Sequence, residues 1–366
     1  MLVQDIINAI EEYAPLAWQE SYDNSGLQIG NRQDEVKAVL ISLDVTEALL
    51  DEAIQRGANM IVAHHPLLFS GLKQISGRNY IERIVQKAIK NDISIYACHT
   101  NLDNIHNGVN AKIAGRLGLQ DTSILAPMAD SLYKLYTYVP VGAATTVREA
   151  MFAAGAGEVG KYAECSFNTA GTGTFRPGMD TDPAIGEPGG PREEVSEIKI
   201  EVLVDKAHRS QVLKALFAAH PYEEVAYDMV ALGNANQELG AGMVGQLPAF
   251  MDEETFLAHI KQNMKASCVR HTALKGGEVR KVAVCGGSGS FLLREAIRAG
   301  ADFFITADFK YHQFFDAEGK IVIADIGHYE SEQFTSEIFL DIINRKFPNF
   351  ATLLSNLSTN PVNYYY

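Results

Sequence analysis

The chain has 366 residues, of which 47% are hydrophobic and 21% charged, a composition typical of a globular protein with a sizeable core. Its net charge of −14 argues against a sequence-independent grip on nucleic acid. The four cysteines form no C-x-x-C pair, which excludes a zinc ribbon or thioredoxin-like motif and suits a reducing compartment. The acidic, amphipathic N-terminus is unlike a signal peptide and no long apolar run exists, so we expect a cytoplasmic protein without a membrane span.

The first segment shows a pattern of alternating strands and helices. A helix is predicted over Asp5–Tyr13, and three continuous apolar runs follow, AVLISLDV, NMIVAHHP and ISIYACHT. Such runs are typical of strands buried on both faces of a parallel sheet. Thr46 is the expected N-cap of the helix after the first of these strands, and Gly57 its expected end. Residues 1–127 are therefore predicted to form an α/β lobe.

The pattern changes near Leu125. The strands KLYTYVP, EIKIEVLV and EEVAYDMVAL alternate with the helices TTVREAMFAAG, capped by Thr145 or Thr146, and AHRSQVLKALFAAH. A Gly/Pro-rich stretch from Asn168 to Pro191 is interpreted as a connection. This repeated βαβ pattern predicts an inserted ferredoxin-like α+β domain over residues 128–236. GNANQELGAGMVG is interpreted as a joint, after which an α/β pattern resumes over residues 237–366.

The first and last segments resemble each other at an offset of 243 residues. The offset superimposes Leu49-Leu50 on Leu292-Leu293, Glu52-Ala53-Ile54 on Glu295-Ala296-Ile297, and Gly57-Ala58 on Gly300-Ala301. This self-similarity predicts two related α/β lobes with mostly parallel strands, separated by the insertion. A coincidence between two generic βαβ units is the alternative.

Three apolar strands end in residues that bind metals: IVAHHP, IYACHTNLD and IVIADIGHYESE. Ligands of open α/β sheets bind beyond the carboxyl ends of the strands, so these ends predict one shared site in a cleft between the lobes. Pro66 breaks the strand ladder after His64 and His65, which allows both rings to turn toward the cleft. His328 and Glu332 are four residues apart and share one face if a helix begins near Gly327.

His99 and Asp103 have the same spacing of four after their strand. Mixed imidazole and carboxylate ligands suit zinc, manganese, iron or cobalt better than calcium. Five ligands are too many for one tetrahedral zinc ion and suit two divalent ions that share a bridging carboxylate. They are His64, His65, Asp103, His328 and Glu332. The alternative is that these side chains are structural, which is the commoner role of a single histidine at a strand end.

Other motifs carry weaker hypotheses. Asp308 aligns with His65 under the same offset and is a lesser site candidate, with a solvated turn as the alternative. The turn CGGSGS lacks the third glycine of a dinucleotide-binding loop, because Leu292 stands at that position, so a tight turn beside the cleft is favoured. Cys98, next to His99, is interpreted as a buried strand cysteine rather than a nucleophile.

The motifs AHHPLLF, HTNLD and GHYESE, with SYDNSGLQIG near the start, resemble the NIF-three-like family, also described as GTP cyclohydrolase I type 2 homologues. The resemblance covers residues 1–125 and 240–366, and the stretch HPYEEVAYD resembles the PII/CutA-like insertion of the longer members. It implies a dinuclear site at His64, His65, Asp103, His328 and Glu332, with His99 close by as a supporting or catalytic group. It also implies a toroidal homohexamer.

The ligand set and the resemblance favour a metal-dependent hydrolase that acts on a nucleotide-like or phosphorylated small molecule, with two zinc, iron or manganese ions per chain. A metal-handling or regulatory protein that binds a small ligand without turnover is the second hypothesis. A nucleic-acid or transcription-partner role is the third, and the net charge of −14 counts against it.

Overall fold

The structure, a computed structural model, describes residues 1–365. It divides into two compact units: residues 1–127 together with 237–366, which we call the outer unit, and residues 128–236, which we call the insert. The protein is of mixed α/β class, with mostly parallel sheets in the outer unit. Within residues 1–365, no helix is long and apolar enough to cross a membrane.

The first segment alternates strands and helices as predicted. Thr46 caps α2, accepting a hydrogen bond from Leu49 N at 3.1 Å, and Gly57 ends this helix with φ +71°, which confirms both predictions. The elements are α1 (Val3–Tyr13), β1 (Gly26–Ile29), β2 (Val39–Ser42), α2 (Glu47–Arg56), β3 (Met60–Ala63), α3 (Tyr80–Lys90), β4 (Ser94–Ala97), α4 (Thr100–Asp103), α5 (Val109–Arg116) and β5 (Gln120–Met128).

The insert contains an antiparallel sheet with the strand order β7-β8-β6-β9, which is the ferredoxin-like order. Its elements are β6 (Leu132–Pro140), α6 (Ala144–Ala153), β7 (Ser166–Phe175), β8 (Glu193–Asp205), α7 (Arg209–Ala219) and β9 (Tyr227–Ala231). The predicted threonine cap was wrong, because α6 begins earlier, with Ala143 at the N-cap and no side-chain cap. The predicted connection after Asn168 was wrong in its first part, which β7 occupies.

The last segment begins with a long strand. Its elements are β10 (Asn236–Asp252), α8 (Glu253–Met264), β11 (Arg270–His271), β12 (Glu278–Ser288), α9 (Leu293–Arg298), β13 (Phe303–Ala307), β14 (Val322–Asp325), α10 (His328–Glu332), α11 (Thr335–Lys346) and β15 (Thr352–Leu354). The Gly-rich joint predicted before Gly245 was wrong, because β10 runs through most of it. The helix predicted from Gly327 is divided into α10 and α11.

The outer unit has two sheets. The sheet of the first segment also contains β15, from the last segment, and the sheet of the last segment also contains β5, from the first. Their orders are β1-β4-β3-β2-β15 and β11-β14-β13-β12-β10-β5. In the first sheet, β15, β2, β3 and β4 run parallel to one another. In the second sheet, β12, β13 and β14 do so. Parallel strands end at one edge of a sheet, so the segments that follow β3 and β4 lie together at an edge of the first sheet, and those that follow β13 and β14 lie together at an edge of the second.

Candidate metal centre

The end of β3 breaks the regular alternation of a strand at His64 and His65. Both backbone amides donate to the same acceptor, the Leu43 carbonyl oxygen, at 3.1 and 3.0 Å. Successive residues of a regular strand would point to opposite faces, whereas here the two imidazole centroids lie 4.9 Å apart. His64 is fully buried and His65 is partly exposed. The strand end therefore brings the two rings side by side.

The second sheet contributes His328 and Glu332 from the short helix α10, which follows β14. Their spacing of four brings His328 Nε2 to 3.1 Å from Glu332 Oε2. Gly287, near the end of β12, lies against this pair with φ +59°, and a Cβ there would stand 2.5 Å from Glu332 Oε1. Gly287 thus makes room for Glu332. The predicted turn CGGSGS was wrong in its first part, because β12 continues to Ser288.

The five predicted ligand residues form two overlapping groups that share one carboxylate. His64, Asp103 and Glu332 are one group, with His64 Nε2 3.5 Å from Asp103 Oδ1 and 3.9 Å from Glu332 Oε1. His65, His328 and Glu332 are the other, with His65 Nε2 3.0 Å from Glu332 Oε2. The ligand atoms of each group lie within 4.8 Å of one another, so each group could hold a metal ion.

Each of the three histidines in these groups has an acceptor beside Nδ1. The pairs are His64 with the Cys98 carbonyl oxygen at 2.9 Å, His65 with Asp44 Oδ1 at 2.7 Å, and His328 with Asp308 Oδ2 at 2.6 Å. Histidines that bind metals commonly donate their second ring N–H to such an acceptor, which fixes the tautomer and the ring orientation. The arrangement directs the Nε2 lone pair of each ring into the cleft.

Comparisons with known proteins identify one family over nearly the whole chain. A family model described as Duf34/NIF3 (NGG1p interacting factor 3) matches residues 1–361. The chain belongs to the DUF34/NIF3 family.

Relatives of this NIF3-family chain match it over most of their length. A Halalkalibacterium halodurans protein named GTP cyclohydrolase 1 type 2 homolog is 42% identical over 328 residues, which cover 89% of this chain and 88% of the relative. A Bacillus subtilis protein of the same name is 38% identical over 98% of this chain and 97% of its own. The crystal structure of a Bacillus cereus protein related to NIF3 has 40% sequence identity and a TM-score of 0.86, and covers 100% of this chain and 99% of its own.

The electrostatics of the NIF3-family site fit a cation at its centre. If Nδ1 of His65 and His328 carry their protons, the two Nε2 atoms, 3.3 Å apart, direct lone pairs at each other. That contact is repulsive unless a proton or a metal ion lies between the rings. Among residues 1–365, His64 Nε2, Asp103 Oδ1 and Glu332 Oε2 are also buried without a hydrogen-bond partner. Buried polar atoms without partners are unfavourable and typically mark a missing ion or water.

The pKa values describe how the site behaves when protons take the place of cations. Burial alone would lower the pKa of His65, but Asp44 and Glu332 outweigh it and raise that pKa to about 9. Burial is likewise outweighed at His328, whose pKa rises to about 11 beside Asp308 and Glu332. Burial lowers the pKa of His64 to about 3, so its Nε2 is free to bind a cation.

The two carboxylates of the site shift in opposite directions. Burial and the negative charge of Glu332 raise the pKa of Asp103 well above its ordinary value. Burial would also raise the pKa of Glu332, but His328 and His65 hold it well below its ordinary value. Positive charge placed between them would relieve the repulsion that shifts Asp103.

His99 lies beside the predicted ligands but is oriented by a different carboxylate. Its ring centroid is 5.2 Å from that of His64, and its Nδ1 is 2.8 Å from Asp23 Oδ1. Asp23 also accepts hydrogen bonds from Thr100 N at 3.0 Å and from Ser25 Oγ at 3.0 Å. Burial alone would raise the pKa of Asp23, but the hydrogen bonds with His99 and the Thr100 side chain outweigh it and hold that pKa well below its ordinary value. His99 therefore presents Nε2 to the cleft from a fixed position.

Three carboxylates orient the histidines of the site. Sequence reasoning did not single out two of them, Asp44 and Asp23, and gave the third, Asp308, as a lesser candidate. Asp44 ends the apolar run of β2, and Asp308 follows β13 with φ +61°, so both stand beyond strand ends where site residues are expected. Asp23 lies in the SYDNSG loop, where aspartate is more often a turn residue. Asp308 is exposed, as a solvated turn residue would be, and its Oδ2 is also the partner of His328 Nδ1.

The cleft around these residues has a volume of about 1230 Å³, enough for a small molecule. Its walls include several exposed aromatic rings. They are Tyr22, Phe69, Tyr80 and Phe291.

Proposed function

We propose that this NIF3-family chain binds two divalent metal ions and is a metal-dependent hydrolase of a nucleotide-like or phosphorylated small molecule. The observation that carries the proposal is the pair of overlapping ligand groups that share Glu332. His64 and Asp103 would hold one ion, His65 and His328 the other, and the Glu332 carboxylate would bridge them. The buried atoms without partners support this fit, because a cation in each group would satisfy them.

Two divalent ions in such a site supply Lewis acidity toward the substrate and lower the pKa of water. The chain supplies the orientation. Asp44 and Asp308 keep the protons of His65 and His328 on Nδ1, which leaves Nε2 of each ring to bind a metal ion. Asp23 does the same for His99, whose Nε2 is placed to accept or donate a proton. We therefore propose His99 as the acid–base group. A ligand role is the alternative, since His99 also lies within reach of His64 and His65.

The substrate class rests on two lines of support. The curated relatives are named GTP cyclohydrolase 1 type 2 homolog, which favours a purine nucleotide or a similar molecule. The cleft volume of about 1230 Å³ and its aromatic walls suit a molecule of that size. Zinc, iron and manganese all match the ligand set. Following the resemblance, we also propose a homohexameric assembly and a cytoplasmic location; light scattering tests the first and cell fractionation the second.

A second candidate function is metal-dependent regulation without turnover. The insert has a cavity of its own, with a volume of about 610 Å³ and walls that include Tyr138, Phe175 and Tyr222. A small ligand bound there would give the protein a sensing role. Tight, slowly exchanging metals favour the hydrolase, whereas rapid exchange without turnover favours the regulator.

The test of the hydrolase is a substrate screen of nucleotides and phosphorylated metabolites with the metal-loaded protein. The comparison includes chelator-treated protein and the variants His64→Ala and His312→Ala, of which His312 is exposed and does not line the cleft. We expect turnover in the wild type and in His312→Ala, and none after chelation or in His64→Ala. Turnover that survives metal removal would refute the proposal that the protein is a metal-dependent hydrolase.

A further inference from the structure

Arg270 is the one lysine or arginine side chain among the residues that line the metal cleft. Apart from the histidines, the other charged side chains in its walls are carboxylates. The carboxylates are Glu20, Asp44, Asp103, Asp308, Asp325, Glu330 and Glu332. A cleft of this charge repels an anion everywhere except near the bound cations and near Arg270. A negatively charged group of a substrate therefore has few sites in the cleft at which it can bind, unless it reaches the metal ions.

Arg270 is held in place through one nitrogen of its guanidinium group, Nη2. It stands opposite Asp325 in the β11–β14 pair and forms an ion pair with it through Nη2. The same nitrogen donates to the Phe309 carbonyl oxygen at 3.2 Å. Asp325 is 3% exposed and accepts from the backbone amides of Phe309 at 2.9 Å and Gly327 at 3.2 Å, so the anchor itself is fixed.

The rest of the guanidinium group lies near the Phe314 ring, with Cζ 5.5 Å from the ring centroid. The Arg270 side chain is 57% exposed, and neither Nη1 nor Nε has a hydrogen-bond partner within residues 1–365. A guanidinium group has five N–H donors, of which Nη2 carries two. The three donors on Nη1 and Nε therefore stay available to the oxygens of a phosphate or a carboxylate. Asp325, Gly327 and His328 lie at and just after the end of β14, and they line the cleft together with Arg270.

We propose that Arg270 binds a phosphate or carboxylate group of the substrate at a point separate from the metal ions. It would select molecules that carry such a group at a set distance from the reacting atom. The inference rests on the proposed function, because the metals are taken to hold the reacting end. The alternative is that Arg270 only stabilises the β11–β14 pair through Asp325.

The test uses hydroxamates, which chelate metals, with alkyl tails of increasing length that end in a phosphonate, a carboxylate or a neutral amide. Their affinities for the metal-loaded protein are measured by calorimetry. The proteins are the wild type, Arg270→Gln, Arg270→Lys and Arg298→Gln. Arg298 is a matched control, because it is 76% exposed, pairs with Glu295 at 3.4 Å and does not line the cleft.

In the wild type and in Arg298→Gln, we expect an anionic tail of the right length to bind about tenfold to a hundredfold more tightly than the amide tail. Arg270→Gln should abolish this gain and Arg270→Lys should keep part of it, with unchanged metal content. The better of the two anionic tails identifies the group. A purely structural role would lower the thermal stability of Arg270→Gln and leave the gain intact.

An equal gain in Arg270→Gln, or no gain in the wild type at any length, overturns the inference. The proposed function is read separately, from the metal content and from the binding of the amide-tailed hydroxamate. Those two measurements do not depend on the side chain of Arg270.

Discussion

Gly287 lies so close to Glu332 that a Cβ at position 287 would stand 2.5 Å from the carboxylate oxygen Oε1. The proposed bridging carboxylate is therefore placed by a residue that contributes no ligand. Glu332 is also nearly fully buried, so it has little room to retreat from an added side chain. Packing at this one glycine is expected to control metal binding.

We predict that Gly287→Ala lowers the metal content of the purified protein by displacing Glu332. Gly300→Ala is the matched control, because Gly300 has a similar φ of +70° and nothing within 4 Å of an added Cβ, against +59° at Gly287. Both changes should cost about 1 kcal/mol of stability through the left-handed backbone. Only Gly287→Ala should lose metal by elemental analysis; equal metal in the two variants would contradict the role of this contact.

The carboxylates behind the histidines should tune metal affinity without binding metal. Asp44→Asn and Asp308→Asn weaken the acceptors for Nδ1 of His65 and His328, and we expect each to reduce metal affinity by about 10-fold to 100-fold. Competition with a chromophoric chelator measures the change. Asp51→Asn is the control, since Asp51 pairs with Lys87 on the surface. An unchanged affinity in both site variants would show that these carboxylates do not support the ligands.

Substitution of His99 distinguishes a catalytic role of this residue from a role as a metal ligand. We predict that His99→Ala keeps its metal and loses turnover by a factor of about one hundred to ten thousand, the range for removal of an acid–base group. Asp23→Asn should act in the same direction, because Asp23 orients the His99 ring. The measurement pairs elemental analysis with rates on a substrate from the screen. Loss of metal from His99→Ala would instead make His99 a ligand.

A buried carboxylate away from the site predicts a pH dependence of stability. Glu52, on α2, accepts hydrogen bonds from Asn356 N at 3.0 Å and from Arg56 Nη1 at 2.7 Å, and so holds the segment after β15. Burial alone would raise the pKa of Glu52, but Ser355, Asn356 and Arg56 together lower it below its ordinary value of 4.5. Its stabilisation is therefore full above pH 4.5 and is lost as the pH falls through the folded-state pKa.

Glu52→Gln should lower the free energy of unfolding at pH 7 by about 1–3 kcal/mol, with a difference that shrinks below the folded-state pKa. Urea denaturation at several pH values measures it. Glu47→Gln, on the exposed side of the same helix, should have little effect because surface ion pairs contribute little. A difference that grows toward acid pH would contradict the assignment.

The convergence of the site residues could be predicted because it depends on strand ends. His64, Asp103 and His328 all follow buried strands whose apolar character is plain in the sequence, and parallel strands bring their ends together. Asp44 and Asp23 could not be singled out in the same way. A lone aspartate near a turn is common, and only the three-dimensional structure shows which histidine it faces.

The errors in the predicted fold arise where backbone pairing between strands, rather than side-chain pattern, determines the structure. The strand β7 has the sequence SFNTAGTGTF, which is rich in glycine and threonine and looks like a connection. It forms because its backbone pairs with β8 from Ser166↔Val202 to Phe175↔Glu193, at an edge of the sheet where side chains contribute little. Likewise, nothing in the sequence of β15 indicates that it pairs with β2, more than 300 residues earlier in the chain.

Metal stoichiometry in three variants tests the central claim, two ions bridged by Glu332, most directly. We expect about two ions per wild-type chain by elemental analysis, about one in His64→Ala and one in His328→Ala, and close to none in Glu332→Ala, because each ion keeps too few ligands once the shared carboxylate is gone. One ion per wild-type chain, or full metal content in Glu332→Ala, would contradict the dinuclear centre.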